Sequence, residues 1–299
     1  MTIRFGASPI AWINDDMPEL GGDTPVETVL RDIEEIGYSG VELGGKFPRD
    51  PESLRQLLGS YRLDLVGGWY SSNLLTRDAE AEIEALQDHL GLLEALGSNV
   101  FVIAETSNAI HGARNQPLSD SPVLRDEDWK WFGERLTRVA DHLQDRGFRL
   151  AYHHHLGTVV ETAPELERFL SSTGGNVGLT LDTGHAALGG IDAVSVVDAA
   201  PDRIAHVHCK DVRRSIFDRV VATGGSFLDG VLQGMFTVPG DGDLEFLPLF
   251  EALARIDYSG WVIVEAEQDP AVADPRSFAQ IGLATLLGEA RLARMEIAA

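Results

Sequence analysis

A chain of 299 residues, 44% hydrophobic and 24% charged, has the make-up of a globular protein and can bury a sizeable core without disulfides or structural metals. Its 47 acidic against 24 basic side chains give a net charge of −23, a field that repels phosphate backbones and anionic lipid and so argues against nucleic-acid and membrane partners. The single cysteine, Cys209, excludes an internal disulfide, and neither a signal-peptide pattern nor an apolar run of the ~20 residues a membrane helix needs is seen, so a cytoplasmic protein is expected.

The first predicted element is a strand over residues 3–8. A helix over 25–36 follows, with Val26, Val29, Leu30, Ile33 and Ile36 on one stripe, Thr24 as N-cap and Pro25 as first helical residue. A strand at 40–43 precedes a helix opened by Asp50-Pro51, and a strand at 63–66 precedes a helix over 79–96 that repeats Leu86, Leu90, Leu93 and Leu96. The apolar run at 100–104 leads through a long connection, 105–126, to a helix over 127–144 carrying Trp129, Phe132, Leu136, Val139 and Leu143. Strands at 149–153 and 177–181 are followed by helices at 164–170 and 193–200. A strand at 204–210, a second long connection at 212–242 that contains a short helical-looking piece, a helix at 245–256, a strand at 261–265 and a helix at 277–293, opened by Asp274-Pro275, complete the chain.

Eight strand–helix pairs in alternation imply parallel strands with crossover helices, and eight is the number that closes a (β/α)8 TIM barrel; the fold class expected is α/β, with one barrel domain over 1–299. An open doubly wound sheet would carry a glycine-rich phosphate turn early in the chain, whereas the first strand runs into Ser8-Pro9-Ile10-Ala11-Trp12. Both long connections follow strands and belong at the C-terminal mouth, where barrel enzymes keep their chemistry. The segment 212–234 reads either as a lid or as an oligomer contact, which leaves a homo-oligomer open.

Polar residues gather where these strands end. Side chains alternate along a strand, so His153 and His155 share a face, as do His206 and His208, and Glu265 and Glu267. In a closed barrel, carboxylates from Asp182 and Glu265 and imidazoles from the fifth and seventh strands converge, a mixed nitrogen and oxygen set that suits Mn²⁺, Co²⁺, Fe²⁺ or Zn²⁺. Singly, each has a plainer reading: Asp182 as a helix cap, His206 and His208 as a core pair, Glu265 and Glu267 as edge residues. Their coincidence at one end of consecutive strands favours a metal site. Lys210 shares strand parity with His208 and points inward, while Cys209 has the opposite parity and reads as a buried thiol. Glu42 fits a mouth residue or a cap, Lys46 a substrate contact or plain surface. Trp12, Trp69 and Tyr70 fit a sugar pocket or the packing that closes the barrel, packing being the simpler account. Gly240-Asp241-Gly242 is a turn by composition.

Asp182-Thr183-Gly184-His185, His206-Val207-His208-Cys209-Lys210-Asp211 and Gly260-Trp261-Val262-Ile263-Val264-Glu265 resemble motifs of the xylose isomerase-like barrel superfamily. The stretches 9–16, 152–158, 236–242 and 265–270, including His153-His154-His155-Leu156-Gly157-Thr158 and Glu265-Ala266-Glu267-Gln268-Asp269-Pro270, resemble the inosose dehydratase family within it. The resemblance implies a metal-dependent hydro-lyase that removes water from 2-keto-myo-inositol, a small polyhydroxylated ketone, with Mn²⁺ or Co²⁺ as the divalent metal, ahead of Zn²⁺, Fe²⁺ or Mg²⁺. It places the ligands at His153, Asp182, His208 and Glu265, where His153 departs from the superfamily's usual Glu and His155 is the fallback. His185, Glu267 and Lys210 become the catalytic shell, and Trp12, Glu42 and His155 substrate contacts. A sugar isomerase or epimerase on the same barrel is the alternative, since it shares the metal chemistry. A nucleic-acid enzyme is disfavoured by the charge, and a non-catalytic sugar-binding protein by the titratable groups beside the metal ligands.

Overall fold

A computed structural model describes residues 2–298. Twelve strands are found: β1 (Thr2–Ala7), β2 (Gly40–Val41), β3 (Asp64–Leu65), β4 (Trp69–Ser72), β5 (Val100–Glu105), β6 (Arg149–His153), β7 (Val177–Asp182), β8 (Ile204–Cys209), β9 (Asp211–Val212), β10 (Phe236–Thr237), β11 (Gly260–Val264) and β12 (Glu296–Ile297). Nine of them form a curled parallel sheet in the order β3-β2-β1-β11-β8-β7-β6-β5-β4. The two ends of that path belong to one stretch of chain. β3 pairs with β2 and β4 with β5, and only residues 66–68 separate them, so the sheet closes through a single broken strand. At this corner Leu43 N–H donates to Gly67 O at 2.9 Å, and a Cβ on Gly68 would lie 2.7 Å from that of Leu43; the chain passes because no side chain is there. The expected strand at 63–66 is therefore only the first half of the third barrel strand, and Trp69 and Tyr70 belong to the second.

Strands buried on both faces read as near-continuous apolar runs, and β5, β7 and β8 are buried along their whole length. Their outer side chains join the main core under the helices, while Val100, Val102, Ala151 and Ala205, and separately Val66, Trp261 and Ile263, form two small clusters of their own. A register shift between β7 and β8 brings Asp182 directly opposite His208.

The helices follow the amphipathic pattern with local changes. The first spans Val26–Ile36, with Pro25 in extended conformation as the cap residue, so Thr24 is not the cap. Asp50 and Asp274 cap as expected, accepting from Ser53 N–H and Ser277 N–H. The long helix at 79–96 is two, Ala79–Ala85 and Gln87–Ala95, meeting at Leu86. Thr183–Leu188 escapes the periodicity, and the one short helical piece expected inside the second long connection is two helices, Arg214–Ala222 and Phe227–Leu232. Packing dominates surface charge here. Val29, Leu30 and Ile33 are fully buried, at about 1.5–3 kcal/mol each, whereas the half-exposed Arg276–Glu35 pair between the last helix and the first contributes about 0–1 kcal/mol. Among the described residues no helix is long and apolar enough to cross a membrane.

The helix Asp128–Asp145 crosses the end of Ala163–Ser172 at Gly133, where a Cβ would lie 1.9 Å from Ser172 O. Gly133→Ala is expected to lower the melting temperature. The helix-propensity gain of about 1 kcal/mol is outweighed by an overpacking penalty of about 1–3 kcal/mol; thermal denaturation followed by circular dichroism checks the sign.

Candidate active site

Each functional side chain is delivered by the end of a strand. β6 ends at His153, β7 at Asp182, β8 carries His206 and His208 with Lys210 just beyond, and Glu265 follows β11. His153, Asp182, His208 and Glu265 are all buried and offer ligand atoms that lie within 4.8 Å of one another. His153 Nε2 is 3.7 Å and His208 Nδ1 3.8 Å from Asp182 Oδ2, and His208 Nδ1 is 3.1 Å from Glu265 Oε2.

The donor set fits a divalent ion. Asp182 has both readings the sequence allowed: Oδ1 accepts from His185 N–H at 2.9 Å and caps the helix Thr183–Leu188, while Oδ2, buried, has no hydrogen-bond partner. An unpaired carboxylate oxygen out of water is costly, and a cation at the cluster would satisfy it. His153 Nδ1–H donates to His154 O at 2.8 Å, leaving Nε2 as the free lone pair on the cluster side. Burial, aided by the neighbouring His208 and His155, holds His153 well below the usual histidine range, so it is neutral and able to ligate. Burial alone would lower His208 as well, but the carboxylates of Glu42 and Glu265 outweigh it and push its pKa well up. Burial raises Asp182; in Glu265 the opposite happens, because Lys210 and His208 overcome burial and hold the carboxyl well down.

Behind this cluster stands Lys210, fully buried. Its Nζ lies 2.6 Å from Glu265 Oε1, 2.7 Å from Glu267 Oε1, 3.0 Å from His185 Nε2 and 3.6 Å from Asp182 Oδ2. Burial would lower its pKa, yet Asp182, Glu265 and Glu267 raise it further, so it is an ammonium. Glu267 is raised to about 7 by burial, against the pull of Lys210. His155, His185 and Glu267 form a second group within the same 4.8 Å limit. The His155 and His185 rings lie 3.8 Å apart, and Phe227 and Phe236 pack against them. His155 Nδ1–H donates to Leu156 O at 2.7 Å, and burial holds both rings well below the usual histidine pKa.

A cavity of about 330 Å³ opens over the cluster, with His153, His155, His208, Glu42, Glu265, Glu267 and Trp69 in its wall. Six of the ten residues expected at the site line it, and Asp182, His185 and Lys210 are buried against those six. Trp12 is the exception. Its ring is buried in the main core and Nε1–H donates to Asp32 at 3.1 Å, toward the first helix. Trp69 reverses the packing account: it is 37% exposed and sets its edge against His153 and His155 at 5.3 and 5.7 Å. Lys46 is a loop clasp, donating to Gly22 O and Thr24 O. Glu105, at the end of β5, is spent on Ser72, Leu74 and Ser107. Asp211 accepts from the N–H groups of Gly240, Gly242 and Leu244 and so holds the Gly240-Asp241-Gly242 turn. His111, Asp15, Asp16 and Arg49 also reach the cavity. They sit on loops, where no periodicity reports direction, and only the placement of the long connection 105–126 at the mouth hinted at His111.

The chain matches a model of the xylose isomerase-like TIM barrel family over residues 30–286. It is 46% identical to the rhizopine catabolism protein MocC of Rhizobium meliloti, covering 100% of this chain and 90% of that protein. To the inosose dehydratase of Lacticaseibacillus casei it is 41% identical, covering 93% and 94%. A solved D-allulose 3-epimerase from Methylomonas sp. is similar in fold, with a TM-score of 0.68 at 20% identity over 96% of this chain and 97% of that one.

Asp182→Asn and Glu265→Gln each keep side-chain size while removing an anionic ligand. Each is expected to weaken divalent-ion binding at least ~10-fold, read as the Mn²⁺ or Co²⁺ content retained after dialysis; wild-type content in both would dismiss the cluster as a metal centre.

Proposed function

This chain belongs to the xylose isomerase-like TIM barrel family, and from that premise we propose that it is a metal-dependent hydro-lyase removing water from 2-keto-myo-inositol (scyllo-inosose) to give a trihydroxycyclohexane dione. The observation that carries the reading is the buried His153–Asp182–His208–Glu265 cluster opening onto a cavity flanked by two proton-carrying side chains, His155 and Glu267. The inosose dehydratases at about 40% identity over 93% of the chain supply the reaction. A cavity of about 330 Å³ is within the range for a small ligand. Its wall carries Asp15, Asp16, Glu42, Glu265 and Glu267 against Arg49 and His208, an acidic balance that favours an uncharged polyol over a phosphorylated sugar or an acid.

Dehydration breaks the C–H bond beside the ketone and the C–O bond one carbon further on. The leaving hydroxyl takes up a proton and departs as water, and the remaining enol tautomerises to the second carbonyl, so no oxidant is required. A divalent ion held by His153, Asp182, His208 and Glu265, for which Mn²⁺ or Co²⁺ suits the mixed donor set, supplies Lewis-acid polarisation of the ketone. His155 is the base: neutral, with Nδ1–H committed to Leu156 O, it keeps a lone pair on Nε2. Glu267 gives the proton to the departing hydroxyl. Lys210 holds Glu267 in place through the 2.7 Å contact, and His185 buttresses His155 from behind. Trp69 forms the apolar wall against which the ring of the substrate lies.

Incubation of Mn²⁺-loaded protein with scyllo-inosose, followed by mass spectrometry, is expected to show loss of one water that a chelator abolishes. A product of unchanged mass would move the chain to the isomerases and epimerases, and no turnover by metal-loaded protein would withdraw this substrate. In the same assay Trp69→Ala is expected to raise KM ~3–10-fold, the worth of one aromatic contact. Trp12→Phe should leave KM unchanged and lower stability by about 1 kcal/mol through the lost bond to Asp32; the steady-state constants of the two variants check this contrast.

A further inference from the structure

Glu42 follows β2, far in sequence from β8, yet it is buried against two histidines of that strand. Its Oε1 lies 2.9 Å from His208 Nε2 and 3.1 Å from His206 Nε2. A carboxylate only accepts hydrogen bonds, so both imidazoles present an N–H to it, and both are held with Nδ1 on the opposite side of the ring. The two differ in what Nδ1 meets. His206 Nδ1 is buried with no partner. His208 Nδ1 faces Glu265 Oε2 at 3.1 Å and Asp182 Oδ2 at 3.8 Å.

We propose that Glu42 is a positioning residue of the metal centre: by accepting from His208 Nε2–H it fixes that ring so that Nδ1 is the ligand atom, and His206, as second donor to the same oxygen, keeps the carboxylate from swinging into the cavity. Carboxylates placed behind ligating imidazoles orient the ring and strengthen it as a donor. The inference rests on the reading of the four-residue cluster as a metal centre and is independent of the substrate. Glu42 also lines the cavity, so direct contact with substrate is the competing role.

The test uses Co²⁺ alone, titrated calorimetrically into metal-stripped protein and followed by its visible absorption. Glu42→Ala is expected to weaken Co²⁺ binding ~10–100-fold and to alter the spectrum, because the His208 ring is freed. Glu42→Gln keeps an acceptor oxygen of the same reach and is expected to restore part of the affinity. His206→Asn should stay within about threefold of wild type, and in a His208→Ala background removal of Glu42 should cost nothing more, as expected of two residues acting as one unit. Wild-type affinity and spectrum in Glu42→Ala, or an equal loss with and without His208, overturns the proposal. So does unchanged Co²⁺ binding with a raised KM, which would make Glu42 a substrate contact. Should Glu42→Ala lose its fold by circular dichroism, Glu42→Leu, which fills the space but accepts no hydrogen bond, is judged on the same criteria, with wild-type affinity and spectrum again the overturning result. A wild-type chain that takes up no Co²⁺ refutes the metal reading itself, whereas binding that ignores Glu42 refutes only its role.

Discussion

Four carboxylates, of Glu42, Asp182, Glu265 and Glu267, are held out of water at one end of the barrel, and the arrangement around them is governed by that fact. Charge in a low-dielectric interior is tolerated only when it is paired. Glu42 is compensated by two imidazole N–H groups, which hold its pKa down to about 2 although burial pushes the other way. Glu265 and Glu267 share the ammonium of Lys210, and Asp182 spends one oxygen on a helix N-terminus. Asp182 Oδ2 and Glu267 Oε2 are left without a hydrogen-bond partner, and Asp182 Oδ2 lies 3.7 Å from His153 Nε2 and 3.8 Å from His208 Nδ1. A cation at the proposed metal site would complete the pairing of Asp182.

Because each of these groups hangs from a different strand, the geometry depends on register. The shift between β7 and β8 sets Asp182 beside His208, and parallel pairing of β8 with β11 brings Glu265 alongside, its N–H donating to Cys209 O. A slip of one residue would turn His208 outward and bring Cys209 in. The small apolar clusters of the sheet therefore serve the site as much as the fold.

The barrel was legible because its strands are buried on both faces and its helices on one, two patterns that differ in period. The third strand was half-read because Val66-Gly67-Gly68 interrupts the apolar run at the corner where the sheet closes, and Thr183–Leu188 was missed because six residues are too few to show a 3.6 period. Within the site, parity along a strand correctly paired His153 with His155, His206 with His208 and Glu265 with Glu267. It could not reveal that Glu42 meets His208, since a contact across 166 residues leaves no local trace. Nor could it orient Trp12 and Trp69. One lies just past a strand in an irregular turn and the other begins a strand after a glycine pair, so neither has a phase inherited from its neighbours.

The second long connection leaves and re-enters the barrel through a two-residue antiparallel clasp, Asp211–Val212 against Phe236–Thr237. Between these points Val220, Leu228, Val231 and Met235 join Met17, Leu118, Leu156 and Leu188 in a small apolar nucleus separate from the main core, and Phe227 packs against His155. An excursion whose ends are already pinned together is topologically a plug-in. Its length can change with only a logarithmic entropic penalty, and the eight-stranded ring need not readjust. The packing behind His155 can therefore be recut by insertion or deletion while the strands that carry the candidate ligands stay as they are, which is a physical route by which one barrel reshapes its pocket.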